Sequence, residues 1–152
     1  MNASGRILAL DVGDRRIGIA VSDELQWTAH GLRTLERKGP KQEVRELREI
    51  VAEYGVTRLV VGLPRNMDGS EGPRAREAIE FAEKLKTRLK VEVVTWDERL
   101  TTRAAERVMI EADVSRSKRR KKLDQVSAVI ILQGYLDSIQ GGGPPPESPS
   151  PE

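Results

Sequence analysis

Asp11, the neighbours Asp97 and Glu98, and Asp124 are acids placed against apolar sequence. Asp11 closes the run Ile7-Leu8-Ala9-Leu10, Asp97-Glu98 closes residues 91–96, and Asp124 lies near the start of the apolar segment 123–136. A carboxylate beside apolar surface must be paired, hydrogen-bonded or bound to a cation. Taken singly, each has an ordinary explanation: Asp11 as a turn residue between two strands, and Asp124 as an acid favoured by the dipole at a helix N-terminus. Taken together, they come from three separate elements. If the ends of those elements converge, the carboxylates share one site, which is tolerable only with shared protons or bound cations. Such oxygen donors suit Mg²⁺ or Mn²⁺.

A second feature stands just upstream of Asp124. Six of the eight residues from 115 to 122 are basic (Arg116, Lys118, Arg119, Arg120, Lys121 and Lys122). The chain carries +2 overall, so the remainder sums to −4 and the positive charge is one local patch. Such a patch attracts polyanions by neutralising phosphates and releasing counterions. The plain alternative is a solvated loop and first helical turn. Beside a carboxylate cluster, the patch points to metal-assisted phosphodiester hydrolysis, in which two ions ~3.5 to 4 Å apart activate a water and stabilise the leaving oxygen.

The elements that must position these groups are legible from periodicity. Apolar runs on either side of residues 11–16 predict a strand, a tight turn and a second, antiparallel strand. Gly13 and Gly18 lack a Cβ there, so backbone, metal or phosphate can approach closely. Residues 27–35 give a third, less regular strand, with His30 at its surface or end. After Gly39-Pro40, Val44, Leu47, Ile50, Val51 and Tyr54 recur at helical spacing up to Gly55. Residues 58–64 form a short buried strand of the parallel-sheet type. A polar loop over 65–72 follows, of a length that is often functional or mobile. Pro73 opens a second helix whose buried face is Ala75, Ala78, Ile79, Ala82, Leu85 and Leu89.

Residues 91–96 predict another strand. Thr101 and Thr102 suit the cap of a third helix with Leu100, Ala104, Val108 and Met109 on its buried face. The basic patch then forms a loop, and residues 123–136 a last helix, apolar on most sides and packed deep against the sheet. The order is three strands, helix, strand, helix, strand, helix, helix, which implies an α/β fold with a mixed sheet covered by helices. One domain over 1–139 is expected, followed by a disordered Gly/Pro/Ser-rich tail over 140–152, which has too little apolar sequence to offset ordering.

Composition bounds the rest. Without cysteine there is no disulfide, no thiolate metal site and no cysteine nucleophile. No apolar run approaches the ~20 residues that cross a bilayer, and the N-terminus lacks a signal-peptide core, so a cytoplasmic location and no membrane partner are expected. A third of the residues are charged and five are aromatic, so the core must be aliphatic. So few aromatics argue against a base-stacking platform for single strands and favour recognition of a structured nucleic acid by shape.

Four blocks, in order, resemble the YqgF/RuvX family over about residues 6–137: residues 10–13 with 16–23, Val61-Gly62-Leu63-Pro64 with residues 67–72, residues 97–102, and Asp124 ahead of residues 131–136. The resemblance implies an RNase H-like fold with a five-stranded sheet. It also implies a nuclease, described both as Holliday-junction-resolvase-like and as a pre-16S rRNA processing enzyme. Carried over residue by residue, its catalytic, metal-binding acids fall on Asp11, Glu98 and Asp124, with Mg²⁺ or Mn²⁺ as cofactor. Asp11 would bridge two ions, each also held by one of the other acids, and the products would be 5′-phosphate and 3′-hydroxyl ends.

In related resolvases a fourth acid lies one helical turn beyond the third. Here that position is Ser127, which leaves Asp97 or a water to complete the second ion's ligands. The family's Gly-rich loop places Arg65, Asn66 and Ser70 near substrate. Arg99 and the patch from Arg116 to Lys122 would grip flanking phosphates without reading sequence. The expected partner is structured RNA or a four-way DNA junction, bound by a monomer or weak homodimer; two-fold cutting of a junction calls for the dimer. Two rival readings are a non-catalytic nucleic-acid-binding module and an ATP-binding member of the actin and sugar-kinase fold. The second needs another lobe and phosphate loop, for which this chain has no room.

Overall fold

The computed structural model describes residues 5–100 and 119–140, with side chains for all of these except 119–124. Strands β1 (Arg6–Val12) and β2 (Arg16–Ser22) pair antiparallel, with Asp11 opposite Gly18 and Val12 opposite Ile17. Asp11 is therefore a strand residue rather than part of the turn, which is reduced to Gly13, Asp14 and Arg15. The ladder continues past the sequence boundary because Gly18 and Ile17 still face it.

Strand β3 (Ala29–Glu36) begins two residues later than the sequence pattern suggests. Asp23 explains the delay. Its carboxylate accepts from the N–H groups of Trp27 and Thr28, both at 2.8 Å, and from Leu25 at 3.2 Å, holding that segment as a loop. Further along, Ile19 pairs with Arg33 and Ala20 with Gly31, so Leu32 is an extra residue that bulges the strand. His30 is exposed, its Nε2 3.0 Å from the Thr28 hydroxyl.

Helix α1 (Pro40–Tyr54) ends at Gly55, which takes the left-handed conformation (φ 65°) and returns its N–H to Val51. Strand β4 (Val56–Leu63) follows at once, and its apolar residues are buried on both faces. Helix α2 (Pro73–Arg88) starts at the expected proline and buries Phe81 beside the predicted small residues. Strand β5 (Glu92–Asp97) runs into a short 3₁₀ turn, Glu98–Leu100.

Leu100 is 64% exposed, which corrects its assignment to a buried helical face; the rest of that predicted helix lies outside the described residues. Helix α3 (Arg119–Ile139) starts four residues early, so Arg119, Arg120, Lys121 and Lys122 are helical rather than loop. Arg116, Lys118 and the tail beyond residue 140 lie outside the described residues.

The sheet order is β3-β2-β1-β4-β5, antiparallel across β3, β2 and β1, and parallel across β1, β4 and β5. It is the mixed five-stranded α/β sheet that the sequence implies. Alternation along each strand builds two cores. Leu8, Leu10, Ile17, Ile19, Leu59 and Val61 point to α1 and α2, where Leu47, Ile50, Phe81 and Leu85 cover them. Ile7, Ala9, Ala20 and Val60 point the other way, under Ala128, Ile131, Leu132 and Leu136 of α3.

Gln133 fixes α3 along β3. Its buried side chain accepts from Ala29 N–H (3.0 Å) and donates to Trp27 carbonyl (3.1 Å). Tyr135 fixes the other flank, accepting from Arg58 at 2.6 Å and meeting the Trp96 ring edge-on.

Candidate carboxylate site

Asp11 continues the odd-numbered series Ile7, Ala9 of β1 and so lies on the α3 face of the sheet. Its neighbours in the sheet are small. Gly18 pairs with it from β2, and the β1–β4 register, which sets Leu10 beside Val61, puts Gly62 next to it on the other side. Glu98 reaches the same place from the turn after β5. Its Oε2 lies 2.6 Å from where a Cβ at residue 62 would stand, and Ile131 of α3 fills the rest of that space. Gly62 is thus glycine because a carboxylate and a helix both need its volume.

The electrostatics agree with this convergence. Burial, reinforced by the nearby charge of Asp11, pushes the Glu98 carboxyl up to about 7, against a smaller opposing effect from Arg74. A site that disfavours charge on Glu98 is one that a cation relieves.

Asp97 points elsewhere, since Trp96 before it packs on the α3 side. Arg99 binds Asp97 through Nη2 (2.7 Å) and Nε (3.0 and 3.1 Å), and Arg65 Nε lies 3.8 Å away. The Arg99 guanidinium holds the Asp97 carboxyl below its usual range. The Asp97 oxygens serve the two arginines, and Glu98 is the member of the pair that converges with Asp11.

Asp124 is placed by backbone alone. It sits in α3 one turn before Ala128 and two before Ile131, on the stripe that meets the sheet, while its side chain lies outside the described residues. Among the described residues no group of three or more acids, histidines or cysteines is arranged to hold a metal. The donor set in view is therefore the pair Asp11 and Glu98, whose hard oxygen atoms and mutual repulsion fit a divalent cation such as Mg²⁺ or Mn²⁺.

The loop over residues 65–72 is internally bonded. Asn66 and Ser70 exchange a backbone bond (3.0 Å) and a side-chain bond (2.9 Å), and Asp68 accepts from Ser70 N–H and hydroxyl. Gly69 turns the chain at φ 89°. Arg65 donates to Gly69 carbonyl and pairs with Glu71, and Arg99 reaches Met67 carbonyl at 3.4 Å. Arg65, Asn66 and Arg99 are thereby gathered on one rim, beyond Asp97 and one residue from Glu98. The sequence gives Gly62 no role beyond its place in the block Val61-Gly62-Leu63-Pro64, and does not single out Arg74, whose charge reaches Glu98 from the first turn of α2.

A family model described as "RuvX: Holliday junction resolvase" matches residues 5–138. The chain belongs to the RuvX family. Among curated RuvX relatives, the "Putative pre-16S rRNA nuclease" of Clostridium tetani is 52% identical over 88% of this chain and 97% of its own length. The protein of the same name from Clostridium novyi is 54% identical over 88% and 99%.

Solved structures share the RuvX chain's fold. Thermus thermophilus RuvC in complex with a Holliday junction substrate superposes with a TM-score of 0.58 at 14% identity, covering 91% of this chain and 97% of that one. The fowlpox virus resolvase with Holliday junction DNA gives 0.55 at 12%, covering 88% and 98%. The sheet is thus of the RuvC-like, RNase H type.

Proposed function

We propose that this chain is a metal-dependent endonuclease that hydrolyses phosphodiester bonds in structured RNA, trimming the 5′ end of the 16S rRNA precursor. The observation that carries the reading is the approach of Asp11 and Glu98 across Gly62, with Glu98 raised to about 7. Asp11, Glu98 and Asp124 are the assigned ligands of two divalent cations. When bound, those ions supply Lewis-acid polarisation of the phosphodiester and a more acidic attacking water.

The chain's own contribution is to hold carboxylates of one sign together. Burial and the charge of Asp11 favour the protonated Glu98 carboxyl, which must lose that proton to serve as a ligand. Helix α3 covers the apolar side, and Arg65, Asn66 and Arg99 are gathered at the loop after β4 and the turn after β5. These three residues and the basic group Arg116, Lys118, Arg119, Arg120, Lys121 and Lys122 are assigned to flanking phosphates, positioning the nucleic acid without reading its sequence. A cytoplasmic location and a monomer or weak dimer accord with this role; among the described residues no helix is long and apolar enough to cross a membrane.

RNA is preferred because relatives above half identity carry the rRNA-nuclease name. Cutting of a four-way DNA junction is the second reading, favoured by the description of the family model. The test compares wild type with Asp11→Asn on a labelled small-subunit rRNA precursor and a synthetic four-way junction, with Mn²⁺, Mg²⁺ or EDTA. Metal-dependent cutting of the precursor, lost in the variant, is expected. Cutting of the junction alone would establish the second reading. Salt-sensitive binding without cleavage of either would leave a non-catalytic module.

A further inference from the structure

Arg37 stands just past β3, where that strand, α1, α2 and the β1–β2 turn meet. Its backbone N–H donates to Arg15 carbonyl (2.9 Å), and its Nη1 donates to Gly13 carbonyl (2.9 Å). The Nε and Nη2 groups donate to the two oxygens of Glu43, at 3.0 and 3.2 Å. The guanidinium also lies over the Phe81 ring, 5.3 Å from its centroid. The Glu43 side chain is 4% exposed in the first turn of α1.

A buried ion pair is a poor way to gain stability, because desolvation offsets most of the Coulomb attraction. What the planar fork does supply is direction: two bonds fix it on Glu43, and a third is left aimed at one carbonyl. That carbonyl belongs to Gly13, whose N–H is also held, by Arg16 carbonyl at 2.9 Å. Both backbone polar groups two residues beyond Asp11 are thereby fixed.

We propose that Arg37, oriented by Glu43, is a positioning residue that holds the Asp11 end of β1 in place against the repulsion of Glu98, so that the two carboxylates are arranged for a divalent cation before it arrives. The inference rests on the nuclease reading and adds to it a support that touches neither substrate nor cation. Groups bonded directly to a metal ligand alter metal affinity by roughly 10–100-fold when removed; Arg37 bonds the backbone two residues from Asp11, so the low end of that range is expected. A lysine keeps the charge and much of the stem but cannot make the three directed bonds.

The experiment titrates Mn²⁺ by calorimetry into wild type, Arg37→Lys, Glu43→Gln and Leu47→Ala without nucleic acid, then measures cleavage against Mn²⁺ concentration. Arg37→Lys is expected to bind Mn²⁺ about tenfold more weakly and to raise the half-saturating Mn²⁺ by the same factor. The KM for nucleic acid should stay unchanged and kcat should recover at saturating Mn²⁺. Glu43→Gln, which keeps the shape of the side chain and is the variant expected to fold best, should shift in the same direction by less. Leu47→Ala lowers stability from within the same core and should leave the Mn²⁺ midpoint in place. Wild-type binding with unshifted midpoints in Arg37→Lys and Glu43→Gln would overturn this proposal alone. A wild type that bound no Mn²⁺ and cut nothing would overturn the nuclease reading and this one with it.

Discussion

The two faces of the sheet are built from different materials. The face under α1 and α2 is paved with Leu8, Leu10, Ile17, Ile19, Leu59 and Val61, whereas the face under α3 mixes Ile7, Val60 and Trp96 with the small residues Ala9, Ala20, Gly31 and Gly62. Large side chains on the first face generate burial, at about 25 cal/mol for each Å² of apolar surface removed from water. Small ones on the second let α3 come close enough for Gln125 to sit where a Cβ on Gly31 would be, 2.8 Å from its Oε1. Asp11 and Glu98 lie on the face that holds these small residues. One face stabilises the fold, and the other gives the carboxylates room.

If that division holds, damage to each face should have a different signature. Leu47→Ala, on the first face, is expected to cost about 2–5 kcal/mol of stability in a urea titration. Cleavage per folded molecule should stay near the wild-type value. Gly62→Ala should do the reverse in emphasis. Its added methyl must displace Glu98 and Ile131, at about 1–3 kcal/mol, while cleavage falls by roughly 100-fold or more. A variant that lost stability but kept full activity would show that the space above Gly62 serves packing only.

Glu98→Gln tests the same face through pH. In the cation-free protein the folded carboxyl titrates near 7, above its ordinary value of 4.5, so between these limits the folded state keeps a proton that the unfolded chain releases. Wild-type stability therefore falls as pH rises from about 4.5 to 7 and stays low above that. The glutamine removes the penalty. Without metal, Glu98→Gln should be the more stable protein at pH 8, by on the order of 2 kcal/mol, and indistinguishable at pH 4. Added Mn²⁺ should raise the melting temperature of wild type and not of the variant. The smallest effect belongs to Arg99→Ala on the exposed rim: an unchanged melting temperature, with the salt dependence of nucleic-acid binding reduced by about one phosphate contact.

The sequence carried the first face well and the second poorly. Alternation in residues 7–10 and 17–22 and the helical spacing of Val44, Leu47 and Ile50 announce large buried groups, and the structure buries them. Gly62 carries no such signal. In Val60-Val61-Gly62-Leu63 it looks like a weak point in an apolar strand, and its role is set by Glu98, which lies far along the chain, and by a helix further still. Arg37 and Glu43 show the same limit, since two charged residues six apart around a Gly-Pro break look like solvated surface. The candidate acids stand out in the sequence because their cost against apolar neighbours is local. Choosing Glu98 over Asp97 by geometry needed the strand's facing, which shows only once Trp96 is seen against α3. The basic run from Arg119 to Lys122 has no apolar residue to mark a helix face and so reads as loop, yet α3 already includes it.

The bulge at Leu32 bears on how the molecule coexists with others like it. Strand β3 forms one margin of the sheet, and a straight, regular strand there would offer its outer backbone groups to any extended chain that drifted past. The extra residue breaks the two-residue rhythm that a docking strand would have to match, and Arg33 and Glu36 put charge along the same margin. A protein whose working surface is meant for a polyanion thereby discourages the commonest wrong companion, an unfolded copy of itself.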